Sequence, residues 1–231
     1  MTAPVRPPWA SGLATAVAGA AGLTDWASLR PAVGARAAAV LILVADGSAG
    51  PEILFVERAA TMRTHAGQIA FPGGAVDPSD ADLAATALRE AQEETGLDPT
   101  GVEVLGALPP AHVAVSGFDV TAVVGWWHTP SPVGVADPRE VAAVHILGAA
   151  ELVRPAFRAS VRHPSGYTGP AFEVRGLLIW GLTAHLLDGL LQLAGWDEPW
   201  DRHRLVSIPE RYLRDRRRTG GRTDLGGHDA H

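Results

Sequence analysis

Gly73-Gly74-Ala75-Val76-Asp77-Pro78-Ser79-Asp80-Ala81-Asp82-Leu83-Ala84-Ala85-Thr86-Ala87-Leu88-Arg89-Glu90-Ala91-Gln92-Glu93-Glu94-Thr95-Gly96-Leu97 joins a glycine turn to a helical segment that ends in three closely spaced glutamates. Pro72-Gly73-Gly74 breaks the chain, Ser79 or Asp80 can cap a helix, Ser79-x-x-Asp82 approximates a capping box, and Gly96 stands at the C′ position. These signals predict a helix from Asp80 to Thr95. At about 100° per residue, Glu90, Glu93 and Glu94 fall in one sector about 100° wide, while Ala84, Leu88, Ala91 and Thr95 gather nearly opposite. One face packs inward and the other presents carboxylates together.

On stability grounds alone that placement is poor. Like charges at i,i+3 and i,i+4 repel by roughly a few tenths of a kcal/mol per pair, and acids near a helix C-terminus oppose its dipole. A bound divalent cation reverses the sign. Carboxylate oxygens suit Mg²⁺ or Mn²⁺, which keep several waters and bridge to substrate phosphates. The chemistry favoured is attack of water on a phosphoryl group. The bland alternative is an alanine-rich helix with a solvated acidic end.

The segment resembles the Nudix box, G-x5-E-x7-R-E-U-x-E-E-x-G-U with U a bulky apolar residue, through Gly74, Arg89, Glu90, Glu93, Glu94, Gly96 and Leu97. It departs in two places. Asp80 stands at the first Glu with eight residues before Arg89, and Ala91 is small at the first U. Gly-Gly-x-x-Asp-x-x-Asp leading into Ala-Leu-Arg-Glu is similar to the variant in the coenzyme A pyrophosphatase branch. Leu54 to Gly74 resembles the extra motif which that branch carries just upstream, and the likeness continues through Leu108-Pro109-Pro110, Ser116-Gly117-Phe118 and Ile179 to Ala184, covering about 36 to 200. The resemblance implies an α/β fold, a Nudix-type α/β/α sandwich with a mixed central sheet.

Arg58, Arg63 and His65 lie on a loop between two apolar runs and would offer cationic donors to a polyphosphate, with Gln68 adding a neutral contact. The resemblance places Gly73 and Gly74 with them in the substrate-binding set. The plainer reading pairs Arg58 with a nearby acid and leaves His65 as a loop histidine. Arg89 lies beside the glutamates and reads as structural support that orients Glu93. Phe172 and Trp180 have faces suited to adenine, although such apolar settings favour the core.

The chain has 231 residues, 47% hydrophobic and 19% charged, as expected of one α/β domain with extensions. We divide it into an N-terminal extension (1–35), a catalytic domain (36–205) and a mobile Arg-rich tail (206–231). Its formal charge of −6 argues against nucleic acid or an anionic membrane as the main partner. The absence of cysteine excludes disulfides, thiolate nucleophiles and cysteine-ligated zinc, and the cytoplasm is the simplest compartment. Ala10 to Leu23 reads as a short packing helix or a loose arm. Leu177 to Trp196 reads as an amphipathic helix whose His185, Asp188 and Gln192 form a polar stripe.

Arg36 to Ala45, Ile53 to Val56, Val102 to Leu108, Val120 to Trp127 and Val141 to Ile146 have strand character. The functional expectation is that Glu90 and Glu94 ligate Mg²⁺ or Mn²⁺, with Glu93 a third ligand or the base that deprotonates water. The small-molecule partner is a nucleoside diphosphate derivative. The resemblance implies coenzyme A or its derivatives; ADP-ribose or a dinucleotide is the close rival, and a non-catalytic ligand sensor the distant one. A homodimer is suggested by analogy alone.

Overall fold

The computed structural model describes residues 4–20, 29–62, 64–114, 116–163, 166 and 168–213. Helix α1 (Pro8–Ala20) leads to two long strands, β1 (Arg36–Gly47) and β2 (Gly50–Arg58), and two short ones, β3 (Ile69–Ala70) and β4 (Gly73–Ala75). Helix α2 (Leu83–Thr95) is followed by β5 (Val102–Ala107), β6 (Ala111–Val113), β7 (Phe118–Trp127) and β8 (Val141–Gly148). Then come α3 (Ala149–Leu152), β9 (Arg158–Arg162), β10 (Thr168–Val174), β11 (Leu177–Ile179), α4 (Gly181–Leu193), β12 (Leu205–Val206) and α5 (Glu210–Leu213).

The apolar run of β1 makes it the middle of the main sheet. It pairs antiparallel with β2 and β4 and parallel with β7, from Arg36↔Phe118 to Ala45↔Trp127. The backbone order is β3-β2-β1-β7-β5, with β6 on β7 and β8 on β2, so the sheet is mixed. Leu41 to Val44 are almost wholly buried because both faces are covered. Alternation sends Ile42 and Val44 into a core with Phe55, Leu13, Val17, Leu187 and Leu190, beneath α1 and α4. Leu41 and Leu43 face the other way, against Ala87 and Ala91 of α2. Those alanines have no side chain to hold the helix off, so α2 sits close on the sheet.

α1 begins two residues before the apolar stretch that predicted it, and it packs into the core instead of forming a loose arm. Leu13, Val17 and Ala20 are buried, and the Trp9 indole donates to Asp46 at 2.7 Å. The expected helix over Leu177 to Trp196 divides in two. Arg175 and Gly176, at φ 51° and 79°, make a two-residue turn that pairs Val174 with Leu177, so Leu177–Ile179 joins a second sheet of order β11-β10-β9-β12 before α4 starts. No helix among the described residues is long and apolar enough to cross a membrane.

The polar stripe of α4 is not simply solvated. Asp188 is buried, takes a hydrogen bond from Gln192, and is ion-paired with Arg158, whose side chain is fully buried between the rings of Phe172 and Trp200 at 4.3 and 4.5 Å. Phe172 is therefore core and no pocket wall. At the C-terminal end, Val206 lies in β12 and Tyr212 packs with Val161, Leu178 and Ile208. Of the expected mobile tail, residues 214–231 lie outside the described residues.

Asp188→Ala strands the Arg158 guanidinium, and we expect a loss of about 3–5 kcal/mol in denaturant unfolding. Replacing both partners by apolar residues is expected to cost less than that single change.

Candidate active site

The carboxylate helix starts later than its sequence predicts. Asp82 is the N-cap, its side chain accepting from the Ala85 N–H at 2.8 Å, and neither Ser79 nor Asp80 takes that role. The reason is Arg89. Its Nε and Nη2 donate to the two oxygens of Asp80 at 2.9 and 3.0 Å, and Thr86 adds a hydroxyl at 2.8 Å. The guanidinium holds the Asp80 carboxyl far below the usual carboxylate range. At the other end Gly96, at φ 72°, closes the helix by donating to the Gln92 carbonyl at 2.8 Å.

The same arginine reaches both neighbouring glutamates, donating through Nη1 to Glu90 at 3.0 Å and Glu93 at 3.2 Å. It also binds the Ala75 carbonyl at 3.2 Å, locking the end of β4 onto α2. This is the supporting role read for it from its position beside the acids.

The three glutamates meet different surroundings. Glu93 is 58% exposed, Glu90 16% and Glu94 3%. Among the described residues, no group of three or more His, Asp or Glu side chains converges closely enough to hold a metal ion by itself. The expected acidic face is thus unequal in burial: Glu94 and Glu90 are the sheltered acids, and Glu93, tied to Glu90 through the same Arg89 nitrogen, is the exposed one. Glu94 Oε2 accepts from the Gly73 N–H at 3.1 Å, whereas its Oε1 is buried with no hydrogen-bond partner. Arg58 Nη1 stands 4.0 Å from it, within ion-pair range but too far for a hydrogen bond, and Arg58 Nε is also buried without a partner. Burial pushes the Glu94 carboxyl up to about 7, assisted by the charges of Glu90 and Glu140 and opposed by Arg58 and the Gly73 N–H. Burial is also the main cause that raises Glu90.

Gly73 and Gly74 bring the backbone against these acids. A Cβ on Gly74 would lie 2.5 Å from the Glu90 carboxyl, so only glycine leaves that group its place. Across from them, Arg58 and Gln68 close the base of the upstream loop, the Arg58 N–H donating to the Gln68 carbonyl at 2.9 Å. The Gln68 side chain is engaged by His65 Nδ1 at 3.2 Å and the Tyr212 carbonyl at 3.4 Å, which makes it a tie between that loop and α5. Arg63 lies outside the described residues. Glu140 escaped the sequence reading. It immediately precedes β8, its carbonyl accepts from the Ala59 N–H at 2.7 Å, and its charge reaches both Glu90 and Glu94. An acid at a strand entrance was its only signal.

An unpaired carboxylate oxygen in a buried setting, beside a second carboxylate that is raised by burial, is a donor set that fits a hard divalent cation. Two clefts of about 290 and 360 Å³ adjoin the later part of β8, the second touching it only at Ile146, and neither is lined by these glutamates.

A mixed sheet between helices, with an arginine-braced acidic helix after a glycine turn, defines the α/β sandwich anticipated above. The NUDIX domain profile matches residues 35–165, more than half of the chain, and the protein belongs to the Nudix family. An uncharacterized Nudix hydrolase NudL of Citrobacter koseri is 43% identical over 177 residues, 71% of this chain and 88% of the relative. One from Cronobacter sakazakii is 50% identical over 125 residues, 54% of this chain and 64% of the relative, just under two thirds of its length. The crystal structure of the Nudix hydrolase RenU from M. smegmatis superposes with a TM-score of 0.51 at 20% identity, covering 72% of this chain and 90% of that one.

With its folded pKa raised from 4.5 to about 7, Glu94 holds a proton that the unfolded chain releases. Its contribution to stability is full below the unfolded value and is lost as pH rises through the folded one. In metal-free buffer, stability should therefore fall by roughly 3 kcal/mol more for wild type than for Glu94→Gln over that window, read by denaturant titration at stepped pH. Gly74→Ala should displace the Glu90 carboxylate, weakening Mn²⁺ binding in calorimetry while shifting unfolding by no more than about 1 kcal/mol.

Proposed function

We propose that this protein is a metal-dependent Nudix hydrolase that cleaves the diphosphate linkage of coenzyme A or its derivatives, giving 3′,5′-adenosine bisphosphate and a 4′-phosphopantetheine species. One observation carries the metal site: Glu94 Oε1 is buried without a hydrogen-bond partner, in the electrostatic reach of Glu90. The substrate class is supported by the upstream motif, whose Arg58 faces the same carboxylate.

Glu90 and Glu94 would hold Mg²⁺ or Mn²⁺, which when bound neutralises phosphate charge and lowers the pKa of water. Arg58, whose Nη1 stands in ion-pair range of Glu94, would bind a phosphate oxygen and offset the acidity around it. Arg89 orients Glu93 through Oε2, leaving Glu93 Oε1 to take the proton of the attacking water. Glu140, whose charge raises both buried acids, completes the acidic wall. Asp80 fixes Arg89 and so the spacing of the whole set. No covalent intermediate is needed, and the chain has no cysteine to form one by a thiolate.

The test is hydrolysis of coenzyme A, its acyl derivatives, ADP-ribose and NADH, each with and without Mg²⁺ or Mn²⁺. We expect cation-dependent cleavage of the coenzyme A compounds, and a fall in kcat of about a hundredfold or more in Glu93→Gln and Glu94→Gln with the fold retained. Turnover near wild type in both variants, preference for ADP-ribose, or tight binding without turnover each defeats the assignment.

A further inference from the structure

β8 leaves the acidic cluster and ends at a cleft that the hydrolytic reaction does not use. It starts directly after Glu140, its pairing with β2 shifts register at Ala142, and beyond that irregularity Val144 and Ile146 point to one face of the sheet. That face is the one α2 covers, since Val144 packs with Leu54 and Ala87. Ala142 is exposed, Val144 half-buried and Ile146 39% exposed, so the edge strand that leaves the acidic cluster carries uncharged apolar residues past its bulge, with Val144 and Ile146 on one face. His145 is the only titratable side chain of β8 and pairs with Glu57, as expected from alternation to the opposite face.

Toward the end of that strand, Ile146, Leu43, Leu54, Val133 and Trp127 line the cleft of about 360 Å³, a volume within the range of small-ligand sites. Trp127 is 4% exposed, and its indole N–H is buried without an acceptor. A molecule seated here would need an apolar body and a carbonyl for that donor. Asp46 and Glu52 also line the cleft and would repel an anionic terminus. From Glu140 to Ile146 the strand rises roughly 20 Å, a reach comparable with an extended phosphopantetheine arm.

We propose that this cleft is the acyl subsite of the enzyme: the arm lies along β8 past Val144 and Ile146, an uncharged S-acyl chain fills the cleft, and Trp127 donates to a carbonyl of the arm or thioester. The inference rests on the coenzyme A reading and adds a chain preference to it. Neutral medium-length acyl groups are favoured over free coenzyme A and over chains ending in a carboxylate.

The experiment compares kcat/KM for free, acetyl, octanoyl and succinyl coenzyme A, using wild type, Ile146→Asp and Trp127→Phe, with thermal melts to verify folding. In wild type, lengthening the acyl chain should lower KM by up to about fourfold per buried methylene until the cleft is full, and succinyl should rank below octanoyl. Ile146→Asp should reduce the octanoyl-to-free ratio about tenfold, mainly through KM. Trp127→Phe should raise KM for octanoyl coenzyme A severalfold. Equal rates for all four compounds in wild type overturn the subsite and leave the parent reading standing, as does a parallel loss on free and octanoyl coenzyme A in folded Ile146→Asp. Cleavage of ADP-ribose but of no coenzyme A compound overturns both.

Discussion

The fork of Arg89 on Asp80 ties the loop after β4 to the middle of α2, and the arrangement of the acids follows from it. By engaging Asp80 with one edge and Glu90 and Glu93 with another nitrogen, the guanidinium offsets repulsion that would otherwise fray the end of the helix. The same fork displaces the helix start, because an aspartate held by arginine is unavailable as a cap. Glu94 is the one acid of the helix that Arg89 does not touch. It is also the one driven into the protein, where a single backbone N–H and a distant Arg58 leave half of its carboxylate without a partner. Such a group is costly when charged, unless something doubly positive completes it.

Much of the main sheet was legible because its strands are apolar runs between glycine and proline breaks. β1, β2, β7 and β8 appear where that pattern put them, extended by a few residues, and β5 does so one residue shorter. Ends were less legible than middles. The choice of cap depended on which of three nearby acids Arg89 would take, a contact set by tertiary distance. The second sheet was hidden for a different reason: its strands are short, with mixed composition, and Leu177–Ile179 reads equally well as the first turn of the helix that follows.

Within the site, Glu90 and Glu94 could be found from helical spacing, but their unequal burial could not. That difference comes from the close approach of Gly73 and from Arg58 across the gap, neither of which is encoded in the helix. Gln68 carries a side chain equally able to meet phosphate or backbone, and here it bridges His65 and α5. Glu140 is separated from the helix by more than forty residues, so only the pairing of β8 with β2 reveals it as a neighbour.

α1 and α4 supply much of one covering of the central sheet, yet both lie outside the stretch that the NUDIX domain profile matches. A recombinant fragment trimmed to 35–165 would thus present Ile42, Phe55 and Val124 as a bare greasy wall. Such a fragment would go to chaperones or inclusion bodies. What looks like a dispensable leader and trailer is, mechanically, the lid that keeps the catalytic half dry.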